Sequence, residues 1–252
     1  MAKISSDGKI PKRIGDFIIY PLDGDYIIRK KSGFTKKGMK QDPKYARSRE
    51  NAKEFGAVSR WSKNIRIAIK EVLPKSNNLE VCNSLTAIMR KVMCCDEIAE
   101  RGNRSLKNGF ETANGRALFT GYDFNPNCLF QNVFKGNYCL DTLNMLLQIA
   151  SFEANEVFVF PEVANCVGLR MGALRFDFDS SESFFKLTDW SLFRFESSIT
   201  EGLQLGIEDF PDGQGVLFFL LEVVFFIENE GSFIPYPKDD SKVVYVLGVE
   251  CF

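Results

Sequence analysis

Residues 216–227 read VLFFLLEVVFFI. A β-strand sends successive side chains to opposite faces, and this run has no polar face to give to water. It predicts a central strand covered on both sides. It is too short for a membrane-spanning helix, which needs about 20 residues. Glu222 is the one break in it. A charge amid such a strand must sit at an edge, be paired, or be functional. A buried ion pair to a basic part of the chain and an exposed face used in a subunit contact are both open.

Working outward, the texture around this strand is β-rich. Twenty of the 24 Phe lie in 117–252. Short apolar runs at 117–122, 129–134, 143–150, 156–160, 168–178, 183–195 and 243–249 alternate with turn residues. Phe176 and Phe178 alternate with Asp177 and Asp179, and Phe193 and Phe195 with Arg194 and Glu196, a half-buried strand pattern. Residues 229–242 contain Gly231, Pro235 and Pro237 and read as a loop. The C-terminal half is therefore expected to be an antiparallel β-sandwich or jelly-roll-like body.

The N-terminal half reads differently. Residues 16–31, DFIIYPLDGDYIIRKK, predict a hairpin with Asp23-Gly24 in its turn. Residues 32–41 are basic and polar and read as a mobile loop. Asp42-Pro43 opens a helix, expected to run to about Leu73 and stop at Pro74, with Gly56 a place for a kink. Val58, Trp61, Ile65, Ile69 and Val72 form one stripe; Arg49, Lys53, Arg60, Lys63 and Lys70 form the opposite, cationic face. Asn77 or Asn78 caps a second helix over 79–100, with Leu79, Cys82, Leu85, Ile88, Met89, Val92 and Ile98 as its apolar set. A short connection predicts an antiparallel helix pair. The fold class is α+β, with a basic hairpin and helical region over 1–115 and an acidic, Phe-rich β domain over 116–252, or one continuous body.

Residues 26–56 end in R-x-R-E-N-x-x-E-F-G, carried by Arg47, Arg49, Glu50, Asn51, Glu54, Phe55 and Gly56, and G-Y-D-F-N follows at 121–125. This block resembles the opening of a family of bacterial proteins of similar length with no established activity. The resemblance implies the same plan: a short hairpin, a basic loop, a helix start and a β-rich C-terminal half. It implies no chemistry.

Charge is split along the chain. Residues 1–116 carry 25 Lys and Arg against 13 Asp and Glu; residues 117–252 carry 7 against 20. The net charge of −1 hides this. Such a molecule attracts polyanions at one end, or copies of itself end to end. There is no histidine, which removes the commonest general base and most zinc and iron sites. Seven cysteines without a C-x-x-C pair read as small hydrophobes in a reducing compartment. No secretory signal pattern is present in the first 22 residues, and the expected location is cytoplasmic.

The candidate sites are few. The basic interaction face of Arg49, Lys53, Arg60, Lys63 and Lys70 has Tyr45, Phe55 and Trp61 interleaved, the ingredients of phosphate binding and base stacking. However, Phe55 and Trp61 fall near the apolar stripe and read as core. Glu208, Asp209 and Asp212 form an acidic patch or ion site in a turn-rich segment. Asp177 with Asp179, and Glu228 with Glu230, are spaced for paired-carboxylate work. No catalytic residue, metal site, cofactor or small-molecule substrate is evident. The leading expectation is a non-enzymatic assembly subunit that forms oligomers or polymers through its basic and acidic halves. The alternative is a nucleic-acid-associated protein binding phosphates through 29–70. The third is a β-sandwich ligand or carbohydrate binder, or a His-free hydrolase, with a concave pocket holding Asp or Glu between aromatic walls.

Overall fold

A computed structural model describes residues 2–4, 12–22, 24–31, 36–74, 78–197, 199–237 and 241–252. The chain is α+β and divides into two compact units, Met1–Arg49 and Glu50–Phe252. The boundary expected near residue 115 runs through a helix.

In the first unit, β1 (Ala2–Ile4), β2 (Arg13–Ile14), β3 (Phe17–Leu22) and β4 (Asp25–Lys30) form an antiparallel sheet in the order β1-β4-β3-β2. The expected hairpin is β3–β4. Leu22 pairs with Asp25, and Gly24 takes the positive φ (+84°) that the tight turn requires; Asp23 lies outside the described residues. Of the expected loop, 32–35 lies outside the described residues, whereas Lys36–Gln41 forms helix α1. Asp42 accepts from the Lys44 amide at 3.0 Å, with Pro43 at the first position of a 3-10 turn. That turn leads into α2 (Ala46–Ala68).

The second unit is built on the strand predicted from 216–227. Strand β11 (Val216–Asn229) pairs along Val216–Phe226 with β7 (Cys166–Phe176). On its other edge it pairs with β13 (Val243–Cys251) and then β12 (Ser232–Pro235). Strands β8 (Ser183–Leu187) and β9 (Ser191–Arg194) share the outer edge of β7. All these pairings are antiparallel, and they make a six-stranded sheet.

Both faces of this sheet are buried. Val167, Leu169, Met171 and Ala173 of β7 and Leu217, Phe219, Leu221, Val223 and Phe225 of β11 share one core. That core is closed by a three-stranded sheet of β5 (Tyr138–Asp141), β6 (Leu146–Ile149) and β10 (Leu203–Gly206). The single-turn helices α6 (Phe130–Val133) and α7 (Ala154–Val157) contribute to it too. The alternate residues Leu174, Phe176, Val216, Phe218 and Leu220 face a second core with α2 and α3 (Asn78–Met93). Phe110 of α4 (Leu106–Glu111) and Phe119 of α5 (Ala113–Phe119) belong to the same core. The β-rich half is thus a central layer, with its helical cover drawn from before and after residue 115.

Three expected strands are helical. Residues 117–122 end α5, 129–134 contain α6, and 156–160 overlap α7. Ser105 and Thr112 cap α4 and α5 by accepting from Asn108 and Gly115 amides. The glycines at 109 and 115 mask the helical signal. The expected strand 183–195 is broken into β8 and β9. Helix α2 ends at Ala68, and turns carry the chain to Pro74; it runs through Gly56 without a break. Helix α3 ends at Met93, not near residue 100, because Asp96 captures the Ile98, Ala99 and Ser105 amides. Leu79 and Ile98 are exposed rather than core, and α3 packs chiefly against α4 and α5. Asn77 lies outside the described residues.

The glycines of the α3–α5 corner are close-approach positions. A Cβ on Gly109 would lie 2.3 Å from the Val92 carbonyl oxygen, whereas one on Gly56 would meet nothing within 4 Å. Gly109→Ala is expected to cost about 1–3 kcal/mol. Gly56→Ala, exposed in mid-helix, is expected to stabilise by about 0.5–1 kcal/mol. Thermal unfolding of the two variants against the wild type, with opposite signs of ΔTm, checks both.

Candidate functional site

Glu222 sits in the middle of β11 and is 2% exposed. Its register partner on β7 is Arg170, whose Nε donates to Glu222 Oε2 at 2.5 Å. Lys242, just before β13, reaches Oε1 at 2.7 Å. The Lys242 carbonyl accepts from Asn125 Nδ2 at 2.7 Å, which fixes the start of β13. Both carboxylate oxygens are therefore engaged by cations, as a buried charge requires. Of the two options left open by the sequence, the buried ion pair is the one observed.

Among the described residues, the helical cover of the sheet runs out around this triad. Helix α2 ends at Ala68, and the sheet face beyond it opens as a cleft of 1070 Å³. Ile67, Lys70 and Glu71 form one wall. Phe185, Trp190 and Phe226 supply aromatic surface, and Arg170, Glu222 and Lys242 line the cleft with them; the Tyr236 side chain packs on the other face of the sheet. The Arg170 guanidinium lies over the Trp190 ring, 4.4 Å from its centroid. Trp190 meets Phe226 edge-on at 5.7 Å. This closeness depends on Gly168, where a Cβ would come within 2.7 Å of Phe226 and 3.0 Å of Trp190. Gly172, two residues beyond Arg170, does the same for Phe185. Strand β7 thus presents Gly168-x-Arg170-x-Gly172 on this face: one long cation between two positions without side chains.

Three cations (Lys70, Arg170, Lys242) face two carboxylates (Glu71, Glu222), which leaves an excess of one positive charge. Glu222 is saturated by its two partners, and the chain has no histidine.

The sequence-derived candidates are dispersed. Arg49 donates to the Met39 and Asp42 carbonyls within the first unit. Lys53 donates to Asn103 Oδ1 at 2.6 Å, and Arg60 lies over Trp61. Lys63 is exposed, and Lys70 lines the cleft. Trp61 packs edge-on against Phe176 and Phe178, as expected of a core residue, but Phe55 is 55% exposed.

Glu208, Asp209 and Asp212 are exposed. Among the described residues no group of three or more His, Cys, Asp or Glu is placed to hold a metal ion, so the ion-site expectation finds no geometry here. Asp177 and Asp179 lie in a turn, not on one strand face; Asp177 accepts from the Asp179 amide and Ser180, and Asp179 pairs with Lys107. Glu228 is held bidentately by Arg194. All seven cysteines are free; Cys128 and Cys166 are buried, whereas Cys94 and Cys139 are exposed. The small-hydrophobe reading fits only the buried ones.

The E-N-x-x-E-F-G block is structural. Glu54 is 2% exposed and takes Arg104 through both oxygens at 2.9 Å, plus the Gly102 amide at 2.7 Å. Asn51 accepts from Arg101 at 2.8 Å. Gly102 has φ +92°, and a Cβ there would meet Glu50 Cγ at 2.7 Å. The G-Y-D-F-N block runs beside β13, with Gly121, Tyr122 and Phe124 exchanging backbone hydrogen bonds with Val244 and Val246.

No protein-family model matches the chain, and no match is found among the curated proteins or the solved structures. Among the described residues no helix is long and apolar enough to cross a membrane.

Two carboxylates set opposite pH dependences. The hydrogen bond from Arg104 holds the Glu54 carboxyl below its ordinary value, so its stabilisation is present above the usual carboxylate range and is lost as pH falls. Burial pushes Asp123 up to about 6, against the lowering effect of the Phe130 amide. Between about pH 4 and 6 folded Asp123 retains a proton that the unfolded chain has released, so its contribution falls as pH rises through that window. Asp123→Asn is therefore expected to gain Tm relative to wild type from pH 4 to 6 and to level off above. Glu54→Gln, which strands Arg104, is expected to cost about 3 kcal/mol at neutral pH and progressively less in acid. Calorimetric Tm against pH for both variants checks the two signs.

Proposed function

We propose that this protein is a non-enzymatic binding protein that takes a small organic ligand in the cleft over Glu222. The observation that carries the reading is the sheet face left open among the described residues: a cleft of 1070 Å³ with Phe185, Trp190 and Phe226 along it and Arg170, Glu222 and Lys242 in its lining. Ligand sites are typically concave, mostly apolar and furnished with a few placed polar groups. A concave site with Glu222 and aromatic residues in its lining supports ranking the third sequence reading above the other two.

The chain has two tryptophans, Trp61 and Trp190. Trp61→Phe leaves Trp190 as the sole tryptophan, at the cleft wall, to be excited selectively over tyrosine. Titration of that variant with neutral, cationic and anionic aromatic probes is expected to give saturable quenching with at least one class, together with a raised Tm. Absence of saturable quenching with all three classes rejects the reading.

A second reading, self-assembly, is favoured by one observation. The charge split persists at the structural boundary, though with a smaller net difference than at residue 116: residues 1–49 carry 13 Lys and Arg against 5 acids, and residues 50–252 carry 19 against 28. Light scattering on nuclease-treated protein at about 50 mM and about 500 mM salt is expected to show larger species at low salt. A monomer at both salts removes this reading, and association abolished by the nuclease assigns the basic segment to nucleic acid.

A further inference from the structure

We infer that the ligand of this cleft is a planar aromatic oxyanion, a flat ring carrying a phosphate or a carboxylate. The inference rests on the binding reading above and names the ligand class of the same site.

The floor is cationic but not free of acid. Arg170 and Lys242 each spend one donor on Glu222. A guanidinium carries five N–H donors and an ammonium three, so each retains donors, and their side chains are 19% and 20% exposed. Lys70 stands at the wall, exposed, and makes no salt bridge among the described residues. An oxyanion arriving here meets three nitrogen donors, two of them held in place by a buried carboxylate. Charge-assisted bonds of this kind are the strong ones in a partly desolvated site. A cationic ligand is disfavoured, because both oxygens of Glu222 are already occupied and the lining carries the positive excess.

The ring follows from the walls. Trp190, Phe185 and Phe226 line the same space as the cations. Arg170 already lies over Trp190, and guanidinium planes stack on rings. A ligand that combines a ring with an oxyanion uses both kinds of surface at once. A saturated sugar leaves the cations without a charged partner, and a bare inorganic anion leaves the aromatic walls wet.

The test uses the full-length Trp61→Phe protein and four probes: 1-naphthyl phosphate, 1-naphthoate, neutral 1-naphthol and inorganic phosphate. Both naphthyl anions are expected to quench Trp190 saturably, at least about tenfold more tightly than naphthol and inorganic phosphate. The tighter of the two anions identifies phosphate or carboxylate as the preferred group. Lys70→Ala is expected to weaken the naphthyl anions about tenfold and leave naphthol unchanged. Lys70→Arg should restore much of the loss, and Lys63→Ala, exposed on α2 and not lining the cleft, should change nothing. Naphthol binding as tightly as the anions, or indifference to Lys70→Ala, overturns the inference while the binding reading stands. No quenching by any of the four overturns this inference.

Discussion

The structure depends on one constraint: strand 216–229 must be buried on both faces. Fully burying a Phe, Leu or Val side chain is worth about 1.5–3 kcal/mol, and this strand places such residues on both sides. A single cover cannot serve it. One face takes the small sheet with α6 and α7; the other takes α2 to α5. The β-bulge of β13 fits the same demand. Leu220 pairs with Val246 and Phe219 with Gly248, so Leu247 is the extra residue. After it the alternation reverses, and Val249 rather than Gly248 faces the helical core. Gly248 then faces Leu140 of the small sheet, where a Cβ would come within 2.7 Å.

Burial on this scale decides where charges can go. Glu54, Asp96 and Glu222 are the buried acids among the described residues, and each is held by several donors. Glu54 and Asp96 act on one segment: Asp96 folds residues 96–105 back on themselves, and Glu54, on α2, docks that turn through Gly102 and Arg104. Most of the R-x-R-E-N-x-x-E-F-G block is spent on this clasp or, in Arg49, on the turn before α2. Its cations and acids are therefore engaged before any partner arrives. An exposed pair such as Arg194–Glu228 contributes far less, because water screens it.

Much of the fold was legible because it obeys local rules. The hairpin at 17–30, the cap at Asp42, the strands at 166–176 and 243–251 and the two-faced strand at 216–229 all follow from turn residues or period-two patterning. The short helices α5, α6 and α7 were not, since a run of four to seven apolar and small residues fits either period. Helix α3 is shorter than its apolar pattern predicts because Asp96 ends it through contacts with residues up to twelve positions away. Of the site, Glu222 stands out in the sequence as a charge in an apolar strand, and Lys70 only as part of the cationic face. Arg170 and Lys242 are ordinary cations until the register brings them to it. The available signal was Gly168-x-Arg170-x-Gly172, a strand face with one long side chain between two gaps. The cationic face on α2 was legible as a pattern, yet most of it answers to neighbours within the chain.

Stability alone does not account for the Glu222 triad. Replacing a buried ion pair by apolar residues of similar volume is often neutral or stabilising, because desolvating the charges offsets their attraction. A leucine at 222 with apolar partners at 170 and 242 would continue the pattern of the most apolar strand in the chain. It would also turn the open sheet face into a large sticky patch, which soluble surfaces rarely expose. The triad solves that problem at the site where helical cover ends. It places fixed, hydrogen-bonded cations beside rings, with Gly168 and Gly172 letting those rings pack down onto the strand. A carboxylate that holds two cations in position, at a cost in desolvation, is the kind of preorganisation that selectivity for a ligand requires.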